Sequence, residues 1–425
     1  MAKRRMATSI FDIKLPTRTA LCFLSVLATV LTIVSTSQAQ TLSVLHYFTG
    51  GTDGQNPTSG VTIGGPGTIY GTAQGSQSQF GAAFKLTEKG SGWTLNPLHT
   101  FTGESDGAYP SAGLVIGPNG ALYGTTFAGA FGVGTIYELR PPATACKTAL
   151  CYWDLTVLHG FTGNVSDGGH PGYGNVTFDQ AGNMYGTTTL NGADGCGVVW
   201  KLTPSGGGWT ETVVYNFTGG TDGCNPEAGV IFDSAGNMYG ATACQYLCHQ
   251  GTGAIYQLTP ANGGWTENTL VTLNASTGTH PWGTLIADGA GNFYGTATED
   301  GPNGGGTVFE LSPSGGGWNF SLVYGFSACL PSAGVTLGPD GNLYGVCFSG
   351  GANAAGWLFK MPRNCNQNCT ATDLHDFIPG EGGNPIGPVV FDASGNIYGT
   401  SYDGGIGDCI VDPIQGCGTV WKFTP

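Results

Sequence analysis

Charge is scarce in this sequence. Asp, Glu, Lys and Arg make up 9% of the 425 residues, with 13 basic side chains against 27 acidic ones and a net charge of −14. Five of the basic residues, Lys3, Arg4, Arg5, Lys14 and Arg18, crowd the first 39 positions. Residues 40–425 are left with eight basic and 26 acidic groups, a net charge of −18. A surface of that sign repels nucleic acid and anionic lipid and favours solubility. Past residue 39 the arginines are Arg140 and Arg363 alone, so no arginine clamp for an acidic substrate can be built. A phosphate-cradling Gly loop ahead of a helix is missing, as is a 12-residue helix–loop–helix calcium loop. Aromatic content of 11% excludes disorder, which combines few aromatics with many charges.

Glycine, by contrast, is plentiful at 76 residues, far above average usage. It is concentrated in a repeat. A Tyr-Gly pair preceded by Leu, Ile, Met or Phe recurs at Tyr70, Tyr123, Tyr185, Tyr239, Tyr294, Tyr344 and Tyr398, at intervals of 53, 62, 54, 55, 50 and 54 residues. A period that long marks an array of supersecondary units. Each unit holds four short apolar segments rich in Val, Ile, Tyr, Phe and Trp and bounded by Gly, Asn, Asp or Pro, which are strand and hairpin signals. In the third unit these are "NVTFD" (175–179), "NMYGT" (183–187), "GVVWKL" (197–202) and "WTETVVYNF" (209–217). Four antiparallel strands repeated radially make an all-β propeller blade. The chain ends fix how the ring closes. "VLHYF" (44–48) is a fourth strand with no unit before it, and "GTVWKF" (418–423) is a third strand with no fourth after it. The expectation is a seven-bladed β-propeller over residues 40–425, its last blade completed by the N-terminal strand, which leaves no free edge.

Residues 1–39 read as a secretory signal peptide: the basic stretch, an apolar Ala20–Val34 segment, and small residues in Ser37-Gln38-Ala39 before Gln40. Fifteen apolar residues are short for a membrane span, so cleavage is expected over retention as an anchor. Cys22 leaves with the signal and twelve cysteines remain. In an exported chain disulfides are the default. In propeller topology Cys196 can reach Cys224, and Cys329 can reach Cys347. Cys146/Cys151, Cys244/Cys248, Cys365/Cys369 and Cys409/Cys417 each fall within one loop. Zinc at Cys365/Cys369 or at Cys244/Cys248/His249 is the rival reading, weakened by the lack of a matching second pair.

The units 182–240 and 291–318 resemble the Gloeo/Verruco (GloVer) tandem repeat. The resemblance runs through all of residues 40–425 and implies an exported or cell-surface bacterial protein of the choice-of-anchor type. It supplies no established activity or catalytic residues. Members often end in an anchoring tail, and with Pro425 following the last strand directly, release or loose surface association is expected.

Chemistry has few places to sit. The seven first-strand segments, which border the central channel, are apolar or Thr-containing. The loops that enter the blades carry Asp53, Asp106, Asp167 and Asp222, with Glu381 extending the arc, while His280 and Cys329 stand in the other two. Asp-Gly is a turn dipeptide and the following Pro (57, 110, 171, 226, 281, 331, 385) stiffens the loop, so a structural role comes first. The functional alternative is a calcium or cationic-ligand arc of carboxylate and carbonyl oxygens. His46, His99, His159 and His375 share one fourth-strand position and read as packing or pairing residues; His170, His249 and His280 lie in loops without a nucleophile at a telling spacing. Trp282 is a possible sugar-stacking residue, although the recurring Tyr and Trp read as filler between blades. Three functions remain: a non-enzymatic binder of a glycan or surface protein through its loop face, a hydrolase or lyase using Asp194, Glu299, Asp300, Asp403 or Asp408, and a structural surface component. No nucleic-acid partner, no stable membrane insertion after cleavage and a monomeric state are expected.

Overall fold

A computed structural model describes residues 40–76, 79–129, 132–144, 151–244, 253–364, 369–409 and 415–425. The signal segment and Cys146, Cys248, His249 and Cys365 lie outside the described residues. Thr41–Thr424 form one compact unit, with no helix among the described residues.

Each Tyr-Gly pair lands on the second strand of a small antiparallel sheet, and there are seven such sheets. The first blade comprises Thr62–Gly65, Thr68–Ala73, Ala82–Lys89 and Gly92–Thr100, paired in that order. The first strands are mostly two residues long, as at Val115–Ile116 and Ile231–Phe232. In the third blade an extra segment, Gly169–Pro171, also pairs with the second strand. The last blade takes Gly383–Phe391, Ile397–Asp403 and Thr419–Thr424 from the C-terminal region. Thr41–Tyr47 supplies its fourth strand, with Thr41 opposite Thr424 and Tyr47 opposite Thr419. The seven-bladed propeller and its N-terminal closure follow the sequence pattern.

The glycine of the pair has a steric reason. Gly71, Gly124, Gly186, Gly240, Gly295, Gly345 and Gly399 face Phe84, Tyr137, Trp200, Tyr256, Phe309, Phe359 and Trp421 across the second and third strands. Each aromatic side chain lies over its glycine, where a Cβ would come within 2.3–2.5 Å of it. An aromatic covering a strand glycine restores the surface that the glycine lacks. All seven rings are fully buried. They also join neighbouring blades: the Phe that ends a fourth strand meets the ring of the next blade, as in Phe48–Phe84 at 5.3 Å, Phe217–Tyr256 at 4.9 Å and Phe377–Trp421 at 5.2 Å.

The tyrosine beside the glycine pins the turn between first and second strands. Tyr185, Tyr239 and Tyr398 each donate to the turn aspartate (Asp179, Asp233, Asp392) at 3.0 Å. The same aspartates accept two backbone N–H groups and an Asn side chain, as Asp179 does from Ala181, Asn183 and Asn183 Nδ2. Burial pulls these carboxyls upward, yet the hydrogen bonds outweigh it and hold Asp179, Asp233 and Asp392 below the usual range. The fourth-strand tryptophans pack edge-to-face against the tyrosine of the preceding blade: Trp93 against Tyr398, Trp153 against Tyr70, Trp209 against Tyr123 and Trp318 against Tyr239.

Threonine in "YGT" carries the contact onward. Thr72, Thr187 and Thr296 donate to the carbonyls of Ala112, Ala228 and Ala333 in the loop entering the next blade, at 2.8–3.0 Å. Thr400 closes the ring on Ser59 at 2.8 Å. Cys196–Cys224, Cys329–Cys347 and Cys409–Cys417 form disulfides. Cys151, Cys244 and Cys369 are disulfide-bonded as well.

Two opposite outcomes test the ring-over-glycine contact. Gly186→Ala is expected to destabilise the fold by roughly 2–3 kcal/mol, the cost of overpacking a full core. Tyr256→Phe removes a buried hydroxyl that has no hydrogen-bond partner and gives the ring used in the fifth blade. It is expected to be neutral or to stabilise by up to about 1–2 kcal/mol. Denaturant melts of the two variants check both signs.

Candidate functional site at the mouth of the channel

The acidic arc is built into its own loops. Asp53 accepts hydrogen bonds from Thr49 N, Thr49 Oγ1 and Gly51 N at 2.7–3.2 Å, and lies 3.1 Å from His46 Nε2. Asp106 is held in the same way by Thr102 and His99, and Asp167 by Thr162 and His159. Asp222 accepts from Thr218 N, Thr218 Oγ1, Gly220 N and the Tyr215 hydroxyl. Glu381 reaches His375 Nε2 at 2.5 Å. Burial raises the Asp53 and Asp167 carboxyls, but hydrogen bonds from His and Thr outweigh it and hold both below the usual range. The shared fourth-strand histidines pair with Val420, Ala83, Ile136 and Leu358 and pack on the Phe two residues on, as expected, and they also anchor the loop acids. Where the entering loop lacks an acid, before the fifth and sixth blades, the histidine position carries Val271 and Tyr324.

Among the described residues one group of three metal-capable side chains converges: His159, Asp167 and Glu211, with ligand atoms within 4.8 Å. Burial pushes Glu211 up to about 7. The other loop acids are dispersed. Asp194 and Asp408 are exposed on separate blades. Glu299 lies 3.4 Å from His280 Nδ1, and Asp300 accepts from Thr279. Asp403 is buried, its Oδ1 without a partner, and burial pushes it up to about 7.

A cavity of about 570 Å³ opens around the axis and draws its walls from all seven blades. Two rings of equivalent positions supply part of its lining. The residue after each repeat proline is Thr58, Ser111, Gly172, Glu227, Trp282, Ser332 or Ile386, and five of these reach the cavity. Four residues beyond each repeat tyrosine stand Gln74, Phe127, Thr189, Ala243, Thr298, Phe348 and Tyr402, again with five in the wall.

The backbone that presents them is strained. Asn56, Tyr109, His170, Asn225, His280 and Asn384, each directly before a proline, have φ between 51° and 58°. Residues other than glycine rarely adopt that conformation, and it persists only where surrounding contacts impose it. Three of the six clamp the second ring through their side chains. Asn56 Nδ2 donates to the Tyr402 carbonyl at 2.9 Å, Asn225 Nδ2 to that of Thr189 at 3.0 Å, and His170 Nδ1 lies 3.1 Å from that of Phe127. The Cys196–Cys224 disulfide ties down the loop that carries Glu227.

Glu227 is 4% exposed, and burial pushes its carboxyl up to about 7. The neighbouring Thr189 hydroxyl pulls it back slightly, although neither Thr189 Oγ1 nor Glu227 Oε2 reaches hydrogen-bonding geometry. Trp282 Nε1 and Ser332 Oγ are likewise buried without a partner. Such orphaned groups in one wall are what a ligand-binding surface looks like when empty of hydrogen-bonding neighbours. Trp282, singled out from sequence, is part of it. Glu227 was not, yet it had a signal: it is the one charged residue among the seven post-proline positions.

No curated protein matches the chain. Among solved structures it is similar to a PL25 polysaccharide lyase, an ulvan lyase, at 12% identity over 89% of this chain and 95% of that one, with a TM-score of 0.48. It is also similar to a 6-phosphogluconolactonase-like protein from Bacteroides fragilis NCTC 9343, at 16% identity over 80% and 94%, with a TM-score of 0.49. A protein of unknown function from Dyadobacter fermentans DSM 18053 matches at 10% identity over 90% and 96%, with a TM-score of 0.46. The Gloeobacter/Verrucomicrobia repeat matches over residues 29–245, 147–330 and 247–425, so its copies run through every blade and the chain belongs to that family.

Proposed function

We propose that this is an exported, non-enzymatic propeller that binds a glycan in the cavity at its channel mouth. The observation that carries the reading is the break in the repeat at one position. Where the other blades place Thr, Ser, Gly or Ile after the proline, the fourth and fifth place Glu227 and Trp282 side by side in the ring. An aromatic face for a sugar ring and buried polar groups for its hydroxyls are the two elements that such a site needs. Tyr173, Phe348 and Tyr402 add further ring surface, and Gln74 and Asn175 add amides. The even number of cysteines after residue 39 and the disulfides support an oxidising, extracellular setting.

A hydrolase reading has one observation in its favour, the Glu227 carboxyl held near neutral pH as a general acid would be. Glycoside hydrolysis ordinarily uses a second carboxyl roughly 5–9.5 Å away, and Glu227 is the one carboxyl in the cavity wall. Binding is therefore favoured over turnover. A glycan array with the purified protein, followed by calorimetry on the best hit, tests the reading. Trp282→Ala and Glu227→Gln are each expected to weaken binding at least tenfold. Unchanged affinity in both variants removes the cavity from the binding site, and release of products from any polysaccharide favours the enzyme.

Stability gives a separate check. Because the folded Glu227 holds its proton up to about 7 against an ordinary 4.5, its contribution is full below pH 4.5 and is lost as pH rises to 7. Glu227→Gln is expected to match the parent near pH 4 and to exceed it at pH 8 by about 3 kcal/mol. Denaturant melts at the two pH values measure the difference; an equal effect at both contradicts the assignment.

A further inference from the structure

Taken as the ligand site, on the reading above, the cavity is complementary to one charge in particular. Glu227 is nearly sealed from solvent, its Oε2 has no hydrogen bond, and the wall contains no Lys, Arg or His. A buried carboxyl gives up its proton readily only beside a counter-charge, and the described residues of this wall supply none. The same wall offers the rings of Phe127, Tyr173, Trp282, Phe348 and Tyr402, and aromatic faces attract cations. Residues 40–425 carry a net charge of −18, so the surrounding field has the same sense.

The neck also limits how a ligand enters. At three seams glycines of neighbouring blades meet backbone to backbone. A Cβ added to Gly387, Gly174 or Gly283 would lie 1.8–2.1 Å from the main chain of the next blade. Thr62 and Thr336 donate across two others to the carbonyls of Leu114 and Val389, and Gly113 N and Gly229 N donate across the remaining two to Asn175 and Thr284. With every seam closed by such contacts, a ligand enters along the axis by its end.

We infer that the ligand presents a protonated amine or quaternary ammonium group at its end, which pairs with Glu227 and lies against the aromatic wall; in a glycan this is a terminal amino sugar whose amine is free. A hydroxyl of a neutral sugar also satisfies Oε2, but it leaves the carboxylate without a counter-charge. An anionic sugar sets a second negative charge beside the first.

Titration calorimetry of the intact protein with matched short oligomers of glucosamine, N-acetylglucosamine and glucose, and with tetramethylammonium, tests this. The free-amine oligomer is expected to bind at least tenfold more tightly than its acetylated counterpart. Glu227→Gln, which keeps the shape and removes the charge, is expected to bring the two within about twofold. Tetramethylammonium is expected to compete with the free-amine oligomer. Equal affinity for the acetylated and free-amine oligomers overturns the inference and leaves the glycan reading standing. A preference that survives Glu227→Gln belongs to the acidic surface and overturns it too. Binding of tetramethylammonium without any oligomer supports the cation and refutes the glycan, and no binding by any probe refutes both.

Discussion

Everything in this propeller rests on a glycine lying beneath an aromatic ring. The glycine lets the third-strand ring lie flat on the second strand, and the ring then meets the Phe that ends the preceding blade. One contact thus sets spacing within a blade and between blades. A side chain at the glycine pushes the ring outward, and the displacement reaches the neighbouring sheet because a close-packed core transmits strain. The flanking residues serve the same end. The tyrosine fixes the turn on one side, and the threonine fastens the next entry loop on the other.

That rigid frame supports a ring of loops that are less comfortable. Six residues before prolines hold a conformation that costs energy, and beyond two of them sit Glu227 and Trp282 with buried groups unmatched among the described residues. Strain and unmet hydrogen bonds collect at sites where function outweighs stability. Here the two coincide in the loops that carry Glu227 and Trp282. The blades can carry this because the rest of each repeat is locally consistent: turn, glycine, ring and threonine all favour one geometry.

The architecture could be read from sequence because it is written seven times. Period, strand pattern and mismatched chain ends gave ring size and closure, and topology gave the pairings Cys196–Cys224, Cys329–Cys347 and Cys409–Cys417. The histidines were harder, since their partners are carboxylates a few residues ahead and a strand pattern gives no hint of that bond. Glu227 escaped for a different reason. The first strands look bare of chemistry, and the wall's carboxyl and indole come from the ends of the entry loops, which converge only after the ring has closed. Comparing equivalent positions across blades exposes it; reading each blade alone does not.

The clasp that completes the last blade also orders events in time. Thr41–Tyr47 is made ahead of the other strands of the ring and finds its partner, Thr419–Thr424, only after all of them have been made. Until then the opening strand and the edge of the final blade are both unpaired, and unpaired edges recruit other chains. The pairing spans almost the full sequence, so it is the slowest kind of contact to form. Concentration during biogenesis should therefore decide the yield of closed rings more than the stability of any blade, because each open ring offers its neighbour the same strand it is waiting for itself.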